Sequence, residues 1–150
     1  MRRRLPLIVL ATIVFLVISG LLARWLSTEG RERDELLGVL RAQVDGDAQR
    51  MLAAMDPSCR ASPACTAQVR RNTARLRLAG ELKILNVQSE TAYAFGSATG
   101  QTRVVWTVLD RGIPTVQCAT VRRGGNVLSG RSISVLALSA PIERESSCPG

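Results

Sequence analysis

Histidine is absent from this chain of 150 residues, and aromatic side chains are scarce, with two Trp, one Tyr and two Phe. The missing imidazole removes the commonest general base, metal ligand and near-neutral titrating group at once. Catalysis and a metal centre both become less expected, and no cofactor is expected. The four cysteines add no C-x-x-C knuckle, the mark of a thiolate zinc site. Scarce aromatics leave little for base stacking, and neither a glycine-rich phosphate loop nor a recognised DNA-binding motif occurs, so nucleic acid is not an expected partner. Lysine is almost missing too. Of 20 basic residues all but Lys83 are Arg, a preference that a GC-rich genome explains as readily as selection for guanidinium forks. The length leaves room for one small domain beside an anchor and excludes two independent enzymatic domains.

What is present begins with nineteen uncharged residues, Leu5 to Ala23, between Arg4 and Arg24. As a helix they span roughly 28 Å, close to the thickness of a hydrocarbon core. Thirteen of them are Leu, Ile, Val or Phe. On an insertion scale such residues contribute on the order of −4 to −8 kcal/mol in total before end effects. Pro6 suits a first helical turn, and Trp25 suits the lipid–water boundary. The run is apolar around its whole circumference, which argues against a core helix. Residues 1–26 are therefore expected to form an Arg cluster and a transmembrane anchor. A cleaved signal peptide is the competing reading, with Arg2 to Arg4 as its n-region and Leu21-Leu22-Ala23 as a poor cleavage site.

Basic residues on the far side, Arg24, Arg31, Arg33 and Arg41, nearly balance those at the terminus. The compact Arg2-Arg3-Arg4 cluster on a very short tail tips the N-terminus inward, since a long following domain is exported despite its charges. The expected location is the cell membrane, single-pass, with the N-terminus cytoplasmic and the domain extracytoplasmic. Cys59, Cys65, Cys118 and Cys148 all fall in the exported part, where disulfides form, and four cysteines permit three pairings. Cys59 and Cys65 bracket a short loop, so a local bridge closes most cheaply and leaves Cys118 to tie down Cys148. Reduced, buried cysteines are expected instead if the orientation is reversed.

From Thr28 to Met55, Leu37, Leu40, Val44, Ala48, Met51 and Met55 recur at helical spacing, which predicts one amphipathic helix within residues 27–56. Arg31, Glu35, Arg41, Asp45 and Gln49 form its solvated face, and Asp56-Pro57 stops it. Ser62-Pro63 opens a second helix running to about Arg75, with a thin apolar face. The period changes at Gly80. Strands are predicted over Leu82–Ser89, Ala92–Ser97, Thr102–Leu109, Thr115–Arg122 and Val127–Leu138, with Asp110-Arg111-Gly112 and Gly124-Gly125-Asn126 as turns. Gly130 suggests a bulge that curls the sheet. The remainder of the domain thus runs over 57–142, followed by a tail, 143–150, tethered by Cys148. Helices first and antiparallel strands afterwards give an α+β fold: two helices packed on one face of a curved sheet of four to five strands.

This order, together with Gly112-Ile113-Pro114-Thr115-Val116-Gln117-Cys118 and the later Ile133-Ser134-Val135-Leu136, resembles the cystatin-like roll of the nuclear transport factor 2 superfamily in membrane-anchored bacterial form. The resemblance covers roughly residues 30 to 142 and rests on element order. It implies a cone-shaped sheet whose concave face holds a ligand or partner. Enzymes of this fold use pocket chemistry for which the chain offers only Tyr93 and no His. Pilin-like proteins are similar in joining an apolar helix to an amphipathic one, a sheet and a late disulfide. Leu5 to Ala23, however, lacks their acidic residue and Gly-Phe start.

Glu81, Glu90 and Asp110 are the carboxylates from which an acid–base pair could be assembled, although strand ends and turns usually carry such groups as solvated surface. Tyr93 and Trp106 could line a pocket, but scarce strand aromatics more commonly fill a core. Arg70, Arg71, Arg75 and Arg77 form the densest basic stretch outside the anchor. Setting aside Arg2, Arg3 and Arg4 leaves 17 basic residues against 12 acidic, a net charge of +5. If that stretch binds anything, anionic lipid head groups suit it better than DNA. The reading that results is a non-catalytic, membrane-tethered domain that binds or scaffolds in an envelope complex, with membrane lipid and an envelope protein as partners. A small enzyme with a pocket carboxylate is the alternative; a pilin-like subunit or an anionic-surface binder is the second alternative.

Overall fold

The computed structural model describes residues 5–26, 28–90, 97–109, 112–126, 130–144 and 146–148. Arg2, Arg3, Arg4, Tyr93, Asp110, Arg111 and most of the expected strand Ala92–Ser97 lie outside the described residues. Among those described, the chain forms helices α1 (Leu5–Leu26), α2 (Thr28–Asp45), α3 (Ala48–Ala54), α4 (Pro57–Ala61) and α5 (Pro63–Arg75). Strands β1 (Leu82–Ser89), β2 (Ala98–Val108), β3 (Thr115–Asn126) and β4 (Gly130–Leu138) follow. They make one antiparallel sheet in the order β1-β2-β3-β4, so the fold is α+β with helices preceding strands.

The single helix expected over Thr28–Met55 is two. Gly46 takes a positive φ of 76°, which its missing side chain permits, and the amides of Gly46 and Asp47 close back on the carbonyls of Gln43 and Ala42, each at 3.0 Å. Asp47 then caps α3, its carboxylate accepting from the Arg50 amide at 2.9 Å. The apolar spacing runs straight across this turn, which hid it: Val44, Met51 and Met55 are all buried although the helix breaks between Val44 and Met51. Asp56-Pro57 ends α3 as expected but also starts α4, a short helix in what the sequence presented as a loop. Ser62 caps α5 as expected, accepting from the Cys65 amide at 3.3 Å.

In the sheet, β1 matches its expected range, while the expected strand at Thr102 is the later part of β2, which begins at Ala98. Gly124-Gly125-Asn126, expected as a turn, is extended and paired within β3, opposite Ser132, Arg131 and Gly130. Gly130 accordingly opens β4 and is not a bulge. The irregularities lie elsewhere, at Leu85 between Ile84 and Asn86 of β1, and at Leu136 of β4 opposite Thr120 and Val121. Each adds one residue to its strand and bends it.

One face of the sheet, carrying Ile84, Val104, Trp106, Ala119, Val121 and Val135, packs against Leu36, Val39 and Leu40 of α2, Met51 of α3 and Val69 of α5. The edge at β4 is covered, which blunts its pairing potential: the Asp56 amide donates to the Val135 carbonyl at 2.9 Å and Asn72 Nδ2 to the Ser139 carbonyl at 2.9 Å. Both expected bridges, Cys59–Cys65 and Cys118–Cys148, are present.

α1 stands apart in character. Its described apolar side chains are largely uncovered, with Val9 52 %, Phe15 68 % and Leu22 52 % exposed. Among the described residues, no helix is long and apolar enough to cross a membrane. The part of α1 whose side chains are described, Val9 to Ala23, is about 22 Å long, short of the roughly 30 Å hydrocarbon core. The expectation over Leu5 to Ala23 is thus met as a helix but not as a span.

Candidate functional site

Trp106, a possible pocket residue more readily expected to fill a core, is fully buried in the core. Its indole Nε1 donates to Gln117 Oε1 at 2.8 Å, and the same oxygen accepts from Gln43 Nε2 at 3.0 Å. Gln117 Nε2 returns a bond to Gln43 Oε1 at 3.3 Å and donates to the Ser139 carbonyl at 2.8 Å. Asn72 of α5 donates to that carbonyl as well, and Gln68 donates to Asn72 Oδ1 at 2.8 Å. These groups tie α2, α5, β2, β3 and the start of the tail into one network. Its groups bond to one another, so the network fixes packing between the helices and the sheet.

A second polar cluster lies nearer the start of α2. Arg123 of β3 donates from Nε to Glu32 Oε2 at 3.0 Å and from Nη2 to the same carboxylate. The Thr102 hydroxyl donates to Glu32 Oε1, and Arg123 Nη2 also reaches Ser89 Oγ at 2.7 Å. Next along the helix, Arg33 Nη2 donates to the Ile84 carbonyl at 2.8 Å, beside the β1 bulge. Two consecutive residues of α2 therefore grip three strands. Sequence reading passed over both clusters because Glu32 and Gln43 are polar. The signal was their spacing: Glu32, Leu36, Val39, Leu40 and Gln43 recur at three and four residues, which puts them on one helix face.

Of the candidate carboxylates, the two described do not converge. Glu81 and Glu90 are exposed at opposite ends of β1, and Asp110 lies outside the described residues. The Asp56 carboxyl is held below the ordinary carboxylate range, first by the Ser58 hydroxyl and then by the Ser58 amide, with burial opposing and Ser134 and Arg122 assisting. Its role is to cap α4 and to meet Arg122 of β3 at 3.5 Å. Among the described residues, no group of His, Cys, Asp and Glu is arranged to hold a metal ion. An open cleft of about 320 Å³ between α2 and β4 is lined by Arg31, Asp34, Glu35, Ser132 and Ile133.

Arg70, Arg71, Arg75 and Arg77 are all exposed. The Arg77 stem lies beside Gly46, and the Leu78 amide donates to the Val44 carbonyl at 3.0 Å. The Arg77 end of this stretch therefore sits at the C-terminal end of α2. α1 leads into the other end, about 27 Å away along a helix of 18 residues.

The sheet's other face carries a third arrangement. Arg103 points away from the helices and donates to the carbonyls of Arg144 and Ser146, the latter at 3.3 Å, and to Gln88 at 3.3 Å. Beside it, Val116 (2 % exposed) and Cys118 (4 %) are covered by the tail. The tail continues alongside β3 through Ser139 N to Cys118 O and Ile142 N to Val116 O, both 2.8 Å, and ends its described course at the Cys118–Cys148 bridge. No protein-family model, curated protein or solved structure matches the chain.

Proposed function

We propose that this protein is a membrane-tethered, non-catalytic domain that works outside the cytosol as a binding or scaffolding part of a cell-envelope complex. The observation that carries the reading is α1, a helix of 22 residues whose described apolar side chains are largely uncovered by the domain. Exposed apolar surface on that scale needs lipid or protein around it. The sequence extends the described apolar run back through Leu5, giving nineteen uncharged residues in all, the length a tilted or straight span needs.

Two disulfides in a domain of this size suit an oxidising compartment, which supports the outward orientation. The arrangement of α2 across one face of a bulged antiparallel sheet is compatible with the cystatin-like roll, and on that reading the concave face is filled by α2 and Trp106, so binding falls to other surfaces. Lipid contact is assigned to α1, since Arg77, at one end of the basic stretch, lies at the distal end of α2.

The test is alkaline carbonate extraction of the full chain from membranes, combined with thiol alkylation of freshly lysed cells without reductant. Retention in the membrane pellet with four blocked cysteines is the expected result. Release into the supernatant sinks the anchor, and four freely alkylated thiols reverse the topology.

A further inference from the structure

The two disulfides do different work. Cys59–Cys65 joins α4 to α5 across six positions, and Cys59 is itself part of the helix-packed core, 1 % exposed. Opening that bridge leaves both halves held by the helices that carry them. Cys118–Cys148 spans 30 positions and lies on the opposite face of the sheet, away from the core. Beyond Ile142, the described tail residues Glu143, Arg144, Ser146, Ser147 and Cys148 are held to the domain by the Arg103 guanidinium and by this bridge. Glu143, Arg144 and Ser147 are exposed, so little apolar burial holds the segment down.

From this asymmetry we infer that Cys118–Cys148 is a thiol-exchange switch. Closed, it straps the tail over the outer face of β3; opened by a protein dithiol, it frees the tail while the helix-packed core stays folded. In the exchange, a thiolate of the dithiol attacks Cys148 Sγ, on the tail side of the bridge, Cys148 being the less buried of the two residues at 8 % against 4 % exposure. The Cys118 sulfur leaves as a thiolate and takes up a proton. The second thiol of the dithiol then attacks the mixed disulfide, so that two electrons pass to the pair and the reductant ends as a disulfide. Opening uncovers Cys118 and leaves Arg103 without a fixed partner in the tail. The reduced state thus presents a thiol and a guanidinium that the oxidised state covers. The inference needs only that the bridge forms, and it stands or falls separately from the membrane anchor.

The experiment titrates the full chain in detergent with dithiothreitol, traps free thiols by alkylation and reads amide exchange by mass spectrometry. Cys118 and Cys148 are expected to become alkylated at least tenfold faster than Cys59 and Cys65. Exchange at the Ser146 amide, which donates to the Glu143 carbonyl at 3.1 Å in the strapped tail, should rise at least tenfold, with the amides of α2 and α3 unchanged, and reoxidation should restore protection. A Cys118→Ser/Cys148→Ser double variant should show the open pattern without reductant. Arg103→Ala should shorten the time to alkylation of Cys148 while leaving that of Cys59 alone. Equal alkylation of the two bridges, unchanged tail exchange on reduction, or loss of α2 protection together with the tail would each overturn the switch; the last makes the bridge a global staple. Should the double variant fail to fold, the titration of the unaltered chain decides.

Discussion

Arg123 on β3 and Glu32 on the first turns of α2 are 91 positions apart in the chain, yet their side chains meet with 6 % and 2 % of their surfaces exposed. A charge pair so far out of water is held by geometry: Thr102 satisfies the second carboxylate oxygen and Ser89 takes a remaining guanidinium donor. Such a pair contributes little compared with apolar residues of the same shape, but removal of one partner strands a buried charge. Its position makes it the fastening between the helix that follows α1 and the centre of the sheet.

Glu32→Ala is therefore expected to destabilise the domain by about 3–5 kcal/mol, and Arg123→Ala by a similar amount. The double variant Glu32→Leu/Arg123→Met should recover most of that loss, because no unpaired charge remains. Urea unfolding followed by far-ultraviolet circular dichroism reads all three. Additive losses in the double variant would remove the pair from this role.

Gln117→Leu leaves the Trp106 indole N–H and the Gln43 amide without their partner in the core. The expected cost is about 1–3 kcal/mol for the first stranded group, with the second adding to it. Trp106→Phe removes a donor and leaves a void, so it should cost more than Gln43→Leu. Thermal unfolding of the three variants tests the order.

Gly46→Ala faces two penalties, a φ of 76° and a new Cβ placed 2.8 Å from Arg77 Cδ. The backbone penalty alone is about 1–2 kcal/mol. Adding Arg77→Ala should relieve the contact and leave the backbone part. If the single and double variants lose equal stability, the arginine stem is not in the way.

Asp56 gives a pH signature. Its folded carboxyl is held below the ordinary aspartate value of 3.8, chiefly by the Ser58 hydroxyl and amide, so its contribution is present above that value and is lost as pH falls through the lower folded one. The unfolding temperature of the unaltered chain should thus drop more steeply below pH 3.8 than that of Asp56→Asn, and the two should converge in strong acid. Parallel curves across that window would assign the acid sensitivity to another group.

The anchor is tested by charge. Val14→Lys with Val17→Lys adds two cations near the middle of α1, at about 2.5–3.5 kcal/mol each on an insertion scale. That is enough to offset the favourable side of insertion, and the chain should move from the carbonate-washed pellet to the soluble fraction. The domain's own unfolding midpoint should not change.

Leu5 to Ala23 was legible as an apolar helix because hydrophobicity is a property of each residue in turn, and the caps at Ser62 and the stop at Asp56-Pro57 were legible because side chain and backbone there lie within three positions of each other. The α+β order and the pairing of Cys59 with Cys65 follow from the same locality. The turn at Gly46 was not, since the apolar spacing continues through it, nor was the extension of β3 through Gly124-Gly125-Asn126, where the true reversal depends on the register of β4. The sites were least legible of all. Glu32, Gln43, Gln117 and Arg123 read as ordinary surface residues until the fold sets each beside a partner between 74 and 91 positions away. The amino-acid order by itself determined the succession of helices before strands and the uninterrupted apolar run of α1, because those preferences are written in short-range sterics and transfer energies. Which polar side chains would be buried, and that the tail would be strapped across the sheet by Arg103 and Cys118, was decided only by tertiary packing, because a polar group's burial depends on a partner that the local chain does not contain.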